Sequence, residues 1–147
     1  GDSSQAVIAS ELAGEINGLQ SLRGNIEDAE HNTTRFIVMA RDAEIPNPDA
    51  GPLMTTFVFH VRNVPAALYK AMGGFATNGV NMTKLESYLI DGHFSAAQFY
   101  ADVEGHPEHR NVRLALEELR FFTKEVNILG VYPAHPFRQE NGISEED

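Results

Sequence analysis

Two short stretches carry residue types and spacing suited to holding a small charged molecule. The first is Asn63-Val64-Pro65-Ala66-Ala67-Leu68-Tyr69, a polar turn that opens a helix with a proline. The second is Gly79-Val80-Asn81-Met82-Thr83-Lys84-Leu85-Glu86-Ser87, which reads as a strand ending in Leu-Glu-Ser. A helix start leaves backbone N–H groups without intrahelical acceptors, and the helix dipole adds partial positive charge there. A carboxylate takes such donors, so the pair suits a small zwitterion such as an amino acid. Taken alone, the first stretch is equally a well-capped helix, with Asn63 as cap and Pro65 in the first turn. A third stretch, Asn32-Thr33-Thr34-Arg35-Phe36, offers a hydroxyl and a guanidinium. Alone it reads as a plain strand start, in which Arg35 either clamps a carboxylate or serves structure.

The elements that must position these residues follow from periodicity. Residues 4–17 read as a helix capped by Ser3 or Ser4, with Ile8, Leu12 and Ile16 on one face and Asn17-Gly18 at its end. Residues 33–39 read as a strand, Thr33-Thr34-Arg35-Phe36-Ile37-Val38-Met39. That helix and strand make too little core alone and look like the end of something larger, so fraying is expected. Residues 45–52, Ile45-Pro46-Asn47-Pro48-Asp49-Ala50-Gly51-Pro52, read as a linker, because three prolines block both helix and central strand. After the linker the pattern is βαββαβ. Residues 53–61 alternate, with Phe57, Phe59 and Val61 on one face, and a helix over 65–77 carries Leu68, Met72 and Phe75. Strands over 80–90 and 94–103 flank an Asp91-Gly92 turn, a second helix after Gly105-His106-Pro107 buries Val112, Leu116 and Leu119, and a last strand covers 126–132. Two helices on one face of a four-stranded antiparallel sheet make an α+β, ferredoxin-like fold.

Composition narrows the class of partner. A formal net charge of −10 without a lysine/arginine cluster argues against nucleic acid. With no cysteine there is neither disulfide nor thiolate metal site. No apolar run approaches the roughly 20 residues that cross a bilayer, and no signal peptide is visible, so a soluble cytoplasmic protein without membrane contact is expected. The acidic end, residues 136–147, reads as a solvated tail. His106 and His109 are three apart and the other histidines are scattered, so no metal and no other cofactor is expected, and His106 reads as a helix cap.

The chain as far as Pro133 resembles the C-terminal part of prephenate dehydratase. Asn63 to Leu68 is similar to the Asn-x-Pro-Gly-Ala-Leu motif of the ACT regulatory domain in that family, and Asn81 to Ser87 to its Asn-Leu-Thr-x-Ile-Glu-Ser-Arg-Pro motif. The run Asn25-Ile26-Glu27-Asp28-Ala29-Glu30-His31-Asn32-Thr33-Thr34-Arg35-Phe36 is similar to the end of the family's catalytic domain. Phe99 to His106 and Leu129 to Pro133 extend the likeness. The resemblance implies a catalytic-domain remnant over 1–44, the linker over 45–52, an ACT domain over 53–135 and the tail over 136–147. It implies L-phenylalanine as effector, bound between ACT domains of a homodimer or homotetramer. Asn63, Pro65, Ala66, Ala67 and Leu68 would take its charged end, and Asn81, Leu85, Glu86 and Ser87 the opposite wall. It implies Thr34 as hydrogen-bond donor to the departing hydroxyl of prephenate, with Arg35 beside it, in an incomplete site that should not turn over alone.

Two departures stand out. Ala66 replaces the usual glycine, which the turn should tolerate because alanine takes helical dihedrals, and Tyr88-Leu89 replace Arg-Pro. They favour the competing expectation of a stand-alone ACT module for amino-acid binding or dimerisation, against which the Thr34-Arg35-Phe36 run speaks. The regulatory domain of aromatic amino acid hydroxylases, a related ACT fold, fits less well.

Overall fold

Helix α1 (Glu11–Ile16) is shorter than the periodicity of 4–17 predicts. Its N-cap is Ser10, whose hydroxyl accepts the Ala13 N–H at 3.2 Å, rather than Ser3 or Ser4. Ile8, Leu12 and Ile16 are all exposed, so no burial extends the helix, and a short helix is marginal on propensity alone. Residues 34–39 form no strand, and Phe36 and Val38 are 88% and 96% exposed. A strand needs a partner ladder, and the expected one does not form. The structure, a computed structural model, describes residues 4–28, 34–62, 64–90 and 93–140. Asn63, residues 29–33, the Asp91-Gly92 turn and tail residues 141–147 lie outside the described residues. The chain divides into two compact units, Gly1–Met39 and Ala40–Asp147.

The second unit has the predicted βαββαβ order. Strand β1 (Leu53–Val61) leads to helix α2 (Ala67–Thr77), strands β2 (Met82–Ile90) and β3 (His93–Glu104), helix α3 (Arg110–Phe122) and strand β4 (Thr123–Pro133). A short α4 (Phe137–Glu140) follows where only tail was expected. The sheet order is β2-β3-β1-β4, with each neighbouring pair antiparallel. Helix α2 starts two residues later than expected, with Pro65 in the turn ahead of it. Strand β4 starts earlier than expected, at Thr123, directly from the end of α3.

Alternation decides which residues meet. Phe57 and Phe59 of β1, Phe99 and Ala101 of β3, Phe75 of α2 and Val112, Ala115, Leu116 and Leu119 of α3 make the core. Phe57 stacks on Phe75 at 5.8 Å and Phe59 on Phe99 at 5.2 Å between ring centroids. Fully burying each such side chain contributes roughly 1.5–3 kcal/mol, which is why the stripe forms where it does. On the other sheet face the Thr56 hydroxyl donates to the fully buried Asp102 carboxylate at 2.6 Å and lies 2.8 Å from the Tyr132 hydroxyl. Gly105 turns β3 into α3 at φ +108, and a Cβ there would meet Val112 Cγ2 at 2.8 Å, so only glycine fits.

Candidate effector site

The turn between β1 and α2 exposes backbone donors. Ala67 N–H donates to the Val64 carbonyl at 3.1 Å and Lys70 N–H to the Ala66 carbonyl at 3.0 Å. Between them, among the described residues, no protein acceptor is bonded to the N–H of Leu68 or Tyr69. These are the second and third helical residues, whose N–H groups point off the helix start. The N-cap position is Ala66, and among the described residues no side chain caps the helix. Asn63, the expected cap, lies outside the described residues.

Ala66 departs from expectation in its backbone. It sits at φ 57, ψ 27, in the left-handed region, not in right-handed helical dihedrals. A β-carbon makes that conformation costly by roughly 1–2 kcal/mol, whereas glycine enters it freely. The turn is therefore retained at the expense of local strain.

The second segment divides between the two sheet faces. Leu85 pairs with Ala101 and Ser87 with Phe99, both partners in the core, so Leu85 and Ser87 share the face that carries α2. Phe99 in turn pairs with Phe59, two residues before β1 ends at Val61. Ser87 is thus near the sheet end from which the turn leads into α2, across two strand spacings or roughly 10 Å. Glu86 points to the opposite face with Lys84 and Tyr88. Its carboxylate accepts the Tyr88 hydroxyl at 2.6 Å and pairs with Lys84 Nζ at 3.0 Å, while Lys84 Nζ lies 5.4 Å from the Tyr100 ring centroid. The Tyr88 hydrogen bond, then Lys84, hold the Glu86 carboxyl below its ordinary range, and the same bond raises the Tyr88 phenol. The i, i+2, i+4 spacing of Lys84, Glu86 and Tyr88 was readable in the sequence as one strand face. Asn81, just ahead of β2, is exposed, and its carbonyl accepts the Glu104 N–H at 3.0 Å.

Around the turn and β2, Val64, Tyr69, Tyr88 and Leu89 are all about half exposed or more. Thr34 and Arg35 lie in the other unit and are exposed. The paired histidines are engaged with backbone: His106 Nδ1 accepts the Glu108 N–H at 3.1 Å and His109 Nδ1 accepts the His106 N–H at 3.2 Å. His109, not His106, occupies the N-cap position of α3. A depression of about 500 Å³, lined by Thr77, Asn78, Gly79, Arg110, Asn111 and Leu114, sits at the other end of α2 from the turn.

Residues 1–44 match the family model of prephenate dehydratase. Over 141 residues the chain is 57% identical to a bifunctional N-acyl-homoserine lactone acylase/prephenate dehydratase of Komagataeibacter europaeus, covering 95% of this chain and 50% of that protein. It is 38% identical over 132 residues to a bifunctional chorismate mutase/prephenate dehydratase of Aquifex aeolicus (strain VF5), covering 90% of this chain and 36% of that protein. The crystal structure of prephenate dehydratase from Arthrobacter aurescens, a complex with L-Phe, superposes with a TM-score of 0.56 at 27% identity, over 65% of this chain and 31% of that one. The chain thus spans half or less of the length of these relatives. The sheet order and helix placement are those of an ACT-like ferredoxin fold, and the chain is a partial-length member of the prephenate dehydratase family.

Proposed function

We propose that the Ala40–Asp147 unit is the ACT regulatory part of a prephenate dehydratase and binds L-phenylalanine. The observation that carries this is the start of α2, where the Leu68 and Tyr69 N–H groups have no acceptor among the described residues and lie beside exposed apolar side chains. The effector carboxylate takes those donors, and its ring lies against Val64, Leu85 and Leu89, on a surface that a second copy of the chain closes. The L-Phe complex of a relative at 27% identity supports the choice of ligand. Pro65, Ala66 and Ala67 shape the turn, and Leu85 and Ser87 form the facing wall. Glu86 and Asn81 act by orienting β2.

In the same reading, residues 1–44 belong to the catalytic part. Thr34 donates a hydrogen bond to the leaving hydroxyl as prephenate loses that group and carbon dioxide, and Arg35 holds a carboxylate. Effector binding inhibits when it favours one arrangement of paired regulatory units over another, because only differential affinity shifts such an equilibrium. Calorimetric titration with L-phenylalanine tests this, with tyrosine and tryptophan as controls. Saturable binding near one ligand per chain is expected, together with no turnover of prephenate by this chain. Absence of heat at millimolar L-phenylalanine, with the protein folded, would refute it.

The 57% identity to a bifunctional acylase favours a second reading beside the first. The protein to which this chain corresponds also hydrolyses N-acyl-homoserine lactones at the amide, water adding to give the fatty acid and the free amine. Release of homoserine lactone from an N-acyl substrate, followed by mass spectrometry, tests it. Unchanged substrate after prolonged incubation with the full-length protein would exclude it.

A further inference from the structure

Helix α3 is hydrogen-bonded at one end to Arg62, just past β1, and at the other to the linker ahead of β1. At its C-terminal end the Phe122 carbonyl accepts the Arg62 N–H at 3.2 Å and the Thr123 carbonyl accepts Arg62 Nε at 3.4 Å. Arg62 is where β1 gives way to the turn that opens α2. Midway, α2 lies hard against α3: a Cβ at Gly74 would fall 2.8 Å from Glu118 Cβ, and Asn78 Nδ2 donates to Glu118 Oε1 at 2.9 Å. At the N-terminal end His109 faces the linker. Its Nδ1 accepts the His106 N–H, so Nε2 carries the proton in this tautomer and donates to the Pro48 carbonyl at 3.0 Å. The linker is folded to present that carbonyl, with Ala50 N–H on the Asn47 carbonyl and Asp49 N–H on Asn47 Oδ1, both at 2.9 Å.

We propose that α3 is a strut carrying occupancy of the start of α2 to the Ile45–Pro52 linker, with the His109–Pro48 hydrogen bond as its output contact. Val112, Ala115, Leu116 and Leu119 are at most 2% exposed, so α3 shifts as a rigid body rather than bending. Its 13 residues span about 20 Å, the distance between input and output. A carboxylate drawn to the start of α2 pulls on that helix and on Arg62 together, and both are tied to α3. The shift reaches Pro48 through the histidine and so acts on the segment joining residues 1–44 to the sheet. The strut rests on the effector reading above for its input.

The test uses the full chain and its His109→Asn variant. Asparagine keeps an oxygen for the His106 N–H and is a favoured N-cap, but is too short to reach Pro48. Calorimetry measures L-phenylalanine binding, and hydrogen exchange read by mass spectrometry follows peptides over 45–52. Saturating L-phenylalanine should change linker exchange several-fold in the unsubstituted chain and less than twofold in the variant. The variant should still bind, with affinity altered by about fivefold or so, since coupling between two sites is reciprocal. His109→Ser, another capping residue, repeats the readout should the asparagine variant unfold. An equal linker response in both proteins overturns the strut. Binding to the unsubstituted chain without any linker response also overturns it, and leaves the effector reading standing. No binding at all overturns both.

Discussion

Ala66 shows how much one dihedral angle hides from a sequence. Alanine looks compatible with a helix start, and only its φ of 57 reveals that the turn demands a glycine-like conformation. Ala66→Gly removes roughly 1–2 kcal/mol of left-handed strain and returns about 0.5–1 kcal/mol through the freer unfolded chain. A net stabilisation of roughly 0.5–1 kcal/mol is expected from urea unfolding, and a destabilised variant would show that the turn is not strained. Glu86 offers a second residue-scale check. Its pKa is lowered in the fold, chiefly by the Tyr88 hydroxyl and then by Lys84, so its contribution to stability is present above its ordinary value of 4.5. That contribution fades only as pH falls below 4.5, through the lowered folded value. NMR titration of the Glu86 carboxyl should give a midpoint below 4.5 that rises in Tyr88→Phe, and an unmoved midpoint would sever the Tyr88–Glu86 link.

At the scale of elements, those with a buried face were legible and those without were not. The stripe Val112, Leu116 and Leu119 and the alternation of Phe57 and Phe59 both name residues that the core buries. Residues 4–17 carry a clear helical period and 33–39 a β-branched, apolar run, yet only Glu11–Ile16 is helical and 34–39 forms no strand, because such patterns state what wants burial and not whether a covering element exists. The division of Leu85 and Ser87 from Glu86 was implicit in the period-2 rule. The engagement of His109 with Pro48 was not, since it joins residues 61 apart. The α2–α3 contact allows a direct prediction. Gly74→Ala places a methyl 2.8 Å from Glu118 Cβ and 3.1 Å from the Ala115 carbonyl oxygen, and overpacking of that kind costs about 1–3 kcal/mol. A shift of the denaturation midpoint within error of zero would mean the helices part easily and that α3 is a poor strut.

For the whole molecule, the surface around the turn is apolar and is left uncovered by the described residues. Val64, Leu89 and Tyr69 are 48%, 53% and 82% exposed. Under the proposed effector reading, a second copy of the chain covers them and completes the slot. Leu89→Asp should weaken self-association about tenfold or more, since burying a leucine contributes roughly 1.5–3 kcal/mol, and sedimentation velocity reads it. An unaltered assembly would place the contact elsewhere. Backbone amide NMR during a titration with L-phenylalanine shows whether the start of α2 receives an amino-acid carboxylate. The Leu68 and Tyr69 amides should shift saturably and together, and D-phenylalanine should not reproduce the response. Saturable shifts confined to other residues, or none at all, would contradict an effector site at this turn.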